Sequence, residues 1–284
     1  MTVGRCKLTG KTGKFVKAHI IPAALTRPSR SGAPLIQWGD DARPIRRRSS
    51  WYDHRLVTAD GEAILAAYDG WAIKQMRLHK LVWSGWGEEE TLTAKPFDEI
   101  PGTPWGLRSI AGVDTRKLRL FFLSLLWRAA ESELPEFSQI YLGSGELHML
   151  RDMLIKGNDS PQDFFPISLT QLSTRGTIHN QAPQYEFKHV PDLNGSADPV
   201  PIFRFYFDGL VVHFCTKYYS IEEVTKLDPQ VVGADSTITL LTVRSEKSWQ
   251  HENFLRLLSE GYQSWPQDMN KFLGPLTSHI QSGE

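Results

Sequence analysis

The chain has 284 residues, of which 40% are hydrophobic and 23% are charged, and its formal net charge is zero. This composition is typical of a folded chain of one or two domains and excludes a disordered one. Its two cysteines exclude a disulfide framework and a four-thiolate zinc site within one chain. The longest apolar run, LRLFFLSLLW, is shorter than the roughly 18 residues of a membrane-spanning helix. The first residues also lack an apolar signal core, so we expect a cytoplasmic protein without a membrane partner.

Charge is distributed unevenly along the chain. Residues 1–60 carry twelve Lys and Arg against four acidic residues, and residues 61–284 carry the compensating negative excess. Such asymmetry favours a polyanion partner for the N-terminal segment. A basic surface that faces only solvent is the alternative.

The first half of the chain predicts the order strand, loop, strand, helix. KFVKAHII at 14–21 is typical of a short strand that ends at Pro22. Residues 27–50 are rich in Pro, Gly, Ser and Arg and indicate a loop or a loosely held ribbon, and WYDHRLVT at 51–58 indicates a second strand. A helix is predicted over 62–83 from apolar residues spaced along one face. These are Ile64, Leu65, Tyr68, Ala72, Ile73 and Met76.

The second half predicts helices followed by strands. Residues 115–134 read as a helix that is apolar around most of its circumference, and therefore buried, ending at Pro135. A further helix ends at Gly157. Five β-rich runs then follow, and the FDGL segment places Asp-Gly between two of them, which is a strong hairpin signal. A last helix begins near Ser248. The fold class we expect is α+β, with an antiparallel sheet in the C-terminal part.

One pattern in the first 62 residues combines several chemically suggestive positions. The chain reads C-x-x-T, then HIIP, then YDHRLVTADGE. It resembles the HNH branch of the His-Me finger (ββα-metal) nucleases, in particular a little-studied bacterial HIIP group in which Cys-x-x-Cys pairs flank the same elements. The matching positions are Cys6, Thr9, His19, Asp53, Thr58, Gly61 and Glu62. The resemblance extends to LFFLSLLWRAAESELPEFSQIYLG at residues 120–143.

The resemblance implies a His-Me finger-like domain at 1–95, a linker at 96–110 and an α+β domain of unknown role at 111–284. It implies hydrolysis of DNA, or of RNA, with His19 as the base and Asp53 as the group that orients it or helps to bind metal. Glu62 would hold one Mg²⁺ or Mn²⁺ ion, because hard oxygen ligands suit these ions. Three knuckle positions lack sulfur, so no structural zinc is expected. Relatives of this kind are associated with anti-phage defence, which implies a possible partner subunit of a defence complex.

The segment RPIRRRSSWYDHR supplies candidates for binding the nucleic-acid backbone. Its arginines suit phosphate contacts and its tryptophan could stack on a base or sugar. The candidates are Arg46, Arg47, Arg48, Trp51 and Arg55.

Each of these residues also has a structural interpretation. His19 could be a half-buried histidine bonded to backbone, Glu62 could favour the helix N-terminus, and Asp53 could be a turn residue. Two other functions therefore stay open: an inactive nuclease scaffold that binds nucleic acid or protein, and a structural subunit whose C-terminal sheet is the working part. Cys215 and His213 share a strand face, and a buried core thiol is favoured over a nucleophile there.

Overall fold

The computed structural model describes residues 2–26, 35–38, 43–47, 50–94, 97–189, 199–216 and 231–273. Within these ranges the strands are β1 Val3–Arg5, β2 Thr12–Lys14, β3 Ala18–His19, β4 Leu35–Trp38, β5 Ile45–Arg47, β6 Tyr52–Asp53, β7 Phe97–Glu99, β8 Trp105–Ile110, β9 Ile167–Leu172, β10 Asn180–Gln181, β11 Gln184–His189, β12 Pro199–Phe207, β13 Leu210–Cys215 and β14 Ile238–Val243. The helices are α1 Ala23–Thr26, α2 Ala59–Leu78, α3 Thr115–Glu131, α4 Ser144–Lys156, α5 Trp249–Ser264 and α6 Pro266–Leu273. The fold is therefore mixed α and β, as the sequence predicts.

A seven-stranded sheet dominates the second half, with strand order β11-β12-β13-β9-β14-β8-β7. Its strands are antiparallel except that β14 runs parallel to β9, so the expectation of a wholly antiparallel sheet is wrong at this one pair. β14 enters between β9 and β8, and its antiparallel pairing with β8 fixes its direction along β9. The predicted hairpin is confirmed: β12 and β13 are joined at Asp208 and Gly209, both with positive φ.

Helix α3 is buried against the inner face of this sheet, as its sequence predicts. Its apolar side chains belong to one hydrophobic core together with Phe205, Phe214 and Leu240 of the sheet. The helix begins at Asp114, whose carboxylate accepts a 2.9 Å hydrogen bond from the Lys117 amide and so caps the first turn. Because α3 is buried, the N-terminal segments and the sheet both pack against it in one hydrophobic core.

The segment expected as a linker instead contributes two strands, β7 and β8, at one edge of the large sheet. In β8 the inward-facing residues are Gly106, Arg108 and Ile110, so the alternation of apolar residues that normally reveals a strand is lost. Arg108 is buried because its guanidinium donates to the Gln171 side chain at 2.8 Å and to the Lys80 carbonyl at 3.2 Å. The inward-facing Arg108 is therefore the reason that the sequence pattern did not predict β8.

The first half contains two small ribbons and the long helix α2. β1 pairs with β2, and β3 pairs antiparallel with β6 so that Ala18 lies opposite Asp53 and His19 opposite Tyr52. Helix α2 follows β6 directly in the chain. The second predicted strand, at 51–58, is shorter than expected: only Tyr52 and Asp53 belong to β6.

A three-stranded sheet, β10-β4-β5, joins the two halves of the chain. β4 runs parallel to β10 and antiparallel to β5, so the segment at 27–50, expected as a loop or a loosely held ribbon, contributes two paired strands among its described residues. The Asn180 amide donates to the Thr26 carbonyl at 3.1 Å, and Arg43 forms two 2.8 Å bonds with Asp268. These contacts hold β4 and β5, hereafter the arginine ribbon, against the C-terminal half. Across the described part of the chain, no helix has the length and apolarity needed to cross a membrane.

Candidate functional site

The four positions that would carry zinc-binding sulfur lie together. The Thr9 amide donates to Cys6 Sγ at 3.3 Å, and a Cβ atom added at Gly61 would lie 2.7 Å from the same sulfur. Thr58 is also a hydrogen-bond partner of Cys6. Burial raises the pKa of the Cys6 thiol, but the hydrogen bonds from Thr9 and Thr58 outweigh burial and leave the pKa below its ordinary value. A buried thiol and its donors therefore occupy the space in which a metal and four ligands would sit.

Backbone hydrogen bonds hold this cluster in the absence of sulfur ligands. The Lys7 amide donates to the Leu56 carbonyl at 3.0 Å, and the Val16 amide donates to the Val57 carbonyl at 3.1 Å. Leu8 is fully buried beside them in the main core. The segment before α2 is thereby fastened to the N-terminal hairpin.

His19 lies on the solvent-facing side of the β3/β6 ribbon. Its partner Tyr52 presents a ring edge at a centroid distance of 6.3 Å, although the Nε2 atom of His19 is shielded from solvent. The Lys17 ammonium lies 3.8 Å from the Tyr52 ring centre, and the His54 ring lies 5.1 Å away. Lys17, Tyr52 and His54 therefore form a basic aromatic surface next to His19. Sequence reasoning missed it, although period-two alternation from His19 and Tyr52 would have found it.

Asp53 lies on the opposite, buried side of this ribbon. Its Oδ1 atom accepts a 2.7 Å hydrogen bond from the Arg55 amide, and its Oδ2 atom accepts 3.4 Å bonds from the Ser132 hydroxyl and the Glu133 amide. Because neighbouring residues of a strand point to opposite faces, the structure does not bring this carboxylate to the His19 ring. Asp53 instead closes the turn after β6, which was the alternative interpretation of this residue.

Glu62 lies in the first turn of α2 and is half-buried. Burial raises the pKa of its carboxyl above the ordinary value; the charge of Arg128 opposes this rise, and the charge of Asp69 adds to it. Glu62 therefore lies within electrostatic range of an ion pair in which Arg128 Nη1 donates to Asp69 at 3.0 Å.

Arg128 connects the strand that carries His19 to the helix that carries Glu62. Its Nη1 atom also donates to the His19 carbonyl at 3.2 Å, and its Nη2 atom donates to the Ser124 hydroxyl at 3.0 Å. The side chain is almost fully buried. Sequence reasoning missed Arg128; the signal was a charged residue in a helix that is otherwise apolar on nearly every side.

The residues predicted to contact nucleic acid differ in their burial and location. Trp51 is only 1% exposed and packs edge-on against Phe137 at 5.6 Å, so its assignment as a base-stacking residue is wrong, because a buried ring has no face left for a base. Arg55 is exposed. Arg46 and Arg47 belong to strand β5, and Arg48 lies outside the described residues.

The side chains available as ligands determine which kind of metal site this protein could form. Nowhere in the described part of the chain do three or more His, Cys, Asp or Glu side chains form a group that could hold a metal ion. Mg²⁺ is commonly bound by one or two carboxylates together with substrate phosphates and water. Glu62 fits this second arrangement, because its carboxylate is a hard oxygen donor.

Two further chemically reactive side chains, His179 and Cys215, are buried in the C-terminal sheet region. His179 is buried between the rings of Tyr206 and Phe254, and its Nδ1 atom lies 2.8 Å from the Thr177 carbonyl. Cys215 is buried against Val200 and Ile202, in agreement with the prediction of a core thiol.

No family model matches this chain, and comparisons with curated proteins and with solved structures also gave no match. Its class must therefore be inferred from the site itself.

Proposed function

We propose that the protein is a metal-dependent endonuclease of His-Me finger type that hydrolyses DNA phosphodiester bonds in the cytoplasm. The observation that carries the proposal is the convergence of Cys6, Thr9, Thr58 and Gly61 on one point. The hairpin and the start of α2 must be arranged in one particular way for these positions to meet. The resemblance to the nuclease family requires that arrangement.

In this proposal His19 is the general base, which takes a proton from the water that attacks phosphorus. Glu62 would hold the Mg²⁺ or Mn²⁺ ion, which when bound neutralises charge on the scissile phosphate and the leaving oxygen. Asp53 fixes the turn that follows β6, and Arg128 fixes the distance between β3 and α2.

The substrate would lie across the solvent-facing side of the β3/β6 ribbon. Lys17 and Arg55 supply positive charge for the phosphates, and Tyr52 offers a ring for stacking. Arg46 and Arg47 of β5 remain candidates for further phosphate contacts. Such contacts bind the backbone and give no base-specific readout. A role in defence against phage, with a partner subunit, is part of the proposal only as an implication of the family resemblance.

A binding module on an inactive nuclease scaffold is the second candidate. It is favoured by the buried Ala18, which stands where many metal-binding versions carry Asp or His, and by the engagement of both Asp53 oxygens. With Glu62 as the remaining anionic ligand, ion affinity would be low until substrate phosphate is present.

Cleavage assays with matched variants separate these candidates. Supercoiled plasmid and single-stranded RNA are incubated with the protein in Mg²⁺, Mn²⁺ or EDTA. We expect ion-dependent nicking that falls by about 100-fold or more in His19→Ala, the usual scale for loss of a general base. Glu62→Gln should lose activity similarly.

Two variants control for nonspecific effects of the substitutions. Asp60→Asn changes an exposed acid in the same helical turn as Glu62, and His148→Ala changes an exposed histidine of α4. Both should cleave within twofold of the wild-type rate. Plasmid binding without cleavage at any ion concentration would support the binding module, and undiminished cleavage by His19→Ala would reject His19 as the base.

A further inference from the structure

A cavity of about 300 Å³ lies between the outer face of the seven-stranded sheet and the start of α5. This is the face opposite to the one that packs on α3. Its walls are largely apolar, formed by Leu172, Ile202, Val211, Leu241 and Val243. The volume is at the small end of the range for ligand sites and equals the share of roughly ten waters in the liquid. It therefore suits a molecule of one or two fused rings.

Two polar side chains of this cavity lie side by side on neighbouring strands of the sheet. Arg204 of β12 and His213 of β13 are direct cross-strand partners, and both line the cavity. Arg204 is 4% exposed; it donates to Gln250 and lies 3.8 Å from the Glu186 carboxylate, beyond hydrogen-bond distance. A charged group is thus held at the wall of an otherwise apolar space.

The imidazole of His213 is the unsatisfied group of this cavity. Its Nδ1 atom is shielded from solvent and has no hydrogen-bond partner among the described residues. Burial lowers the pKa of His213, and the charges of Lys188 and Arg204 lower it further, so the ring is neutral at pH 7. A buried polar atom without a partner is costly, and because this atom is shielded, a ligand in the cavity would meet the other edge of the imidazole ring.

Three aromatic side chains surround the mouth of the cavity. Trp105, Phe187 and Trp249 come from β8, β11 and α5, and they are 37%, 55% and 62% exposed. Large aromatic rings with this much exposure are suited to stacking on a flat ligand. Two cationic side chains and one acidic side chain line the same cavity, so a group with negative charge is favoured beside Arg204.

We propose that this cavity is a binding site for a small planar aromatic molecule that carries one carboxylate. The ring lies among the aromatic side chains of the mouth and the apolar walls. The carboxylate reaches Arg204 and accepts a hydrogen bond from the His213 ring. The site is independent of the proposed nuclease chemistry, because its residues lie on the C-terminal sheet and α5.

Calorimetric titration of the full chain with naphthalene-2-carboxylate tests the site. The neutral naphthalene-2-carboxamide has the same ring and nearly the same shape, and we expect it to bind at least tenfold more weakly. Leu241→Trp fills the cavity and should abolish binding, whereas Leu255→Trp, an equal change at an exposed position of α5, should leave affinity unchanged. Failure of the carboxylate to bind saturably to the wild type overturns the proposal, and equal affinity for the amide overturns the anionic part of it.

Wild-type protein provides a readout that does not depend on the folding of a cavity variant. The indole N–H signals of Trp105 and Trp249 are assigned by nuclear magnetic resonance with Trp105→Phe and Trp249→Phe, both at exposed positions. Addition of the carboxylate should shift these two signals with the same saturation curve as the calorimetry. Saturation that shifts other tryptophan signals and leaves these two in place would show that the ligand binds elsewhere.

Discussion

At the scale of single residues, the charge that Glu62 needs for the proposed metal binding lowers the stability of the folded chain. A carboxylate that is to hold an ion must be charged, yet Glu62 is half-buried and its pKa is raised, chiefly by burial. Folding therefore favours the protonated form. The folded chain carries a destabilising charge at neutral pH, which is typical of groups that a protein retains for function.

The pH dependence of stability follows from the sign of this shift. A carboxyl group whose pKa is higher in the folded chain than its ordinary value of 4.5 favours folding at low pH, and this contribution is lost as the pH rises through the folded value. We expect Glu62→Gln to be more stable than the wild type at pH 7, with the difference vanishing as the pH falls to about 4. Urea unfolding between pH 4 and pH 8 measures it.

Asp60→Asn is the matched control, because Asp60 is exposed in the same turn of α2. Its unfolding over the same pH range measures the effect of removing a charge from this turn. A constant difference between Glu62→Gln and wild type at every pH would mean that the substitution acts through packing and not through charge.

At the scale of elements, the Arg128 side chain ties β3, α2 and α3 together. It contacts the His19 carbonyl, the Asp69 carboxylate and the Ser124 hydroxyl, and these belong to the three different elements. Loss of one partner from a buried ion pair leaves the other charge without compensation. The spacing of β3 and α2 thus depends on this residue.

Arg128→Met should lower the free energy of unfolding by about 3 kcal/mol, the low end for breaking a buried ion pair, because Asp69 keeps some solvent contact. Denaturant unfolding of the variant measures the loss. The control is Lys156→Met, which removes an exposed ion pair with Asp152 and should leave stability almost unchanged. Equal losses in the two variants would contradict the role given to Arg128.

At this scale, the sequence predicted the elements whose structure is determined by residues close together in the chain. Helix α3 and the hairpin at Asp208 and Gly209 are fixed by neighbouring residues, and both were predicted. Strand β8 was missed because Arg108 occupies an inward position, and its partners, Gln171 and Lys80, are distant in the chain. Local patterns cannot show such long-range hydrogen bonds.

The same distinction applies to the candidate site. Family spacing places the residues around Cys6 and puts His19 on a strand and Glu62 at a helix start. Spacing alone did not show that Trp51 is buried or that Asp53 faces away from His19, because both depend on which face of β6 packs against residues near 132–137. Side-chain direction in so short a strand is set by tertiary contacts.

At the scale of the whole molecule, one hydrophobic core spans the boundary proposed at residue 95. Leu8, Ile20 and Leu65 from the first segment share it with Phe121 and Leu150 from the second. A domain that can fold alone needs its own core. The N-terminal segment shares its core with α3 and α4.

We therefore expect a fragment of residues 1–95 to lack a cooperative thermal transition under conditions in which the full chain shows one. Circular dichroism and the dispersion of amide proton signals measure this directly. The full chain in the same buffer is the control. A fragment that unfolds cooperatively would establish residues 1–95 as an autonomous domain and would contradict the dependence on α3.

The arginine ribbon also determines when during biosynthesis the basic surface can become ordered. β4 pairs with β10, which leaves the ribosome much later, and an isolated two-stranded hairpin is at best marginally stable in water. Arg46 and Arg47 therefore acquire a fixed backbone only once the C-terminal half has been synthesised. While the chain is still being synthesised next to ribosomal RNA, these arginines therefore lie on a segment without a fixed backbone, which cannot yet bind a phosphate backbone in a defined geometry.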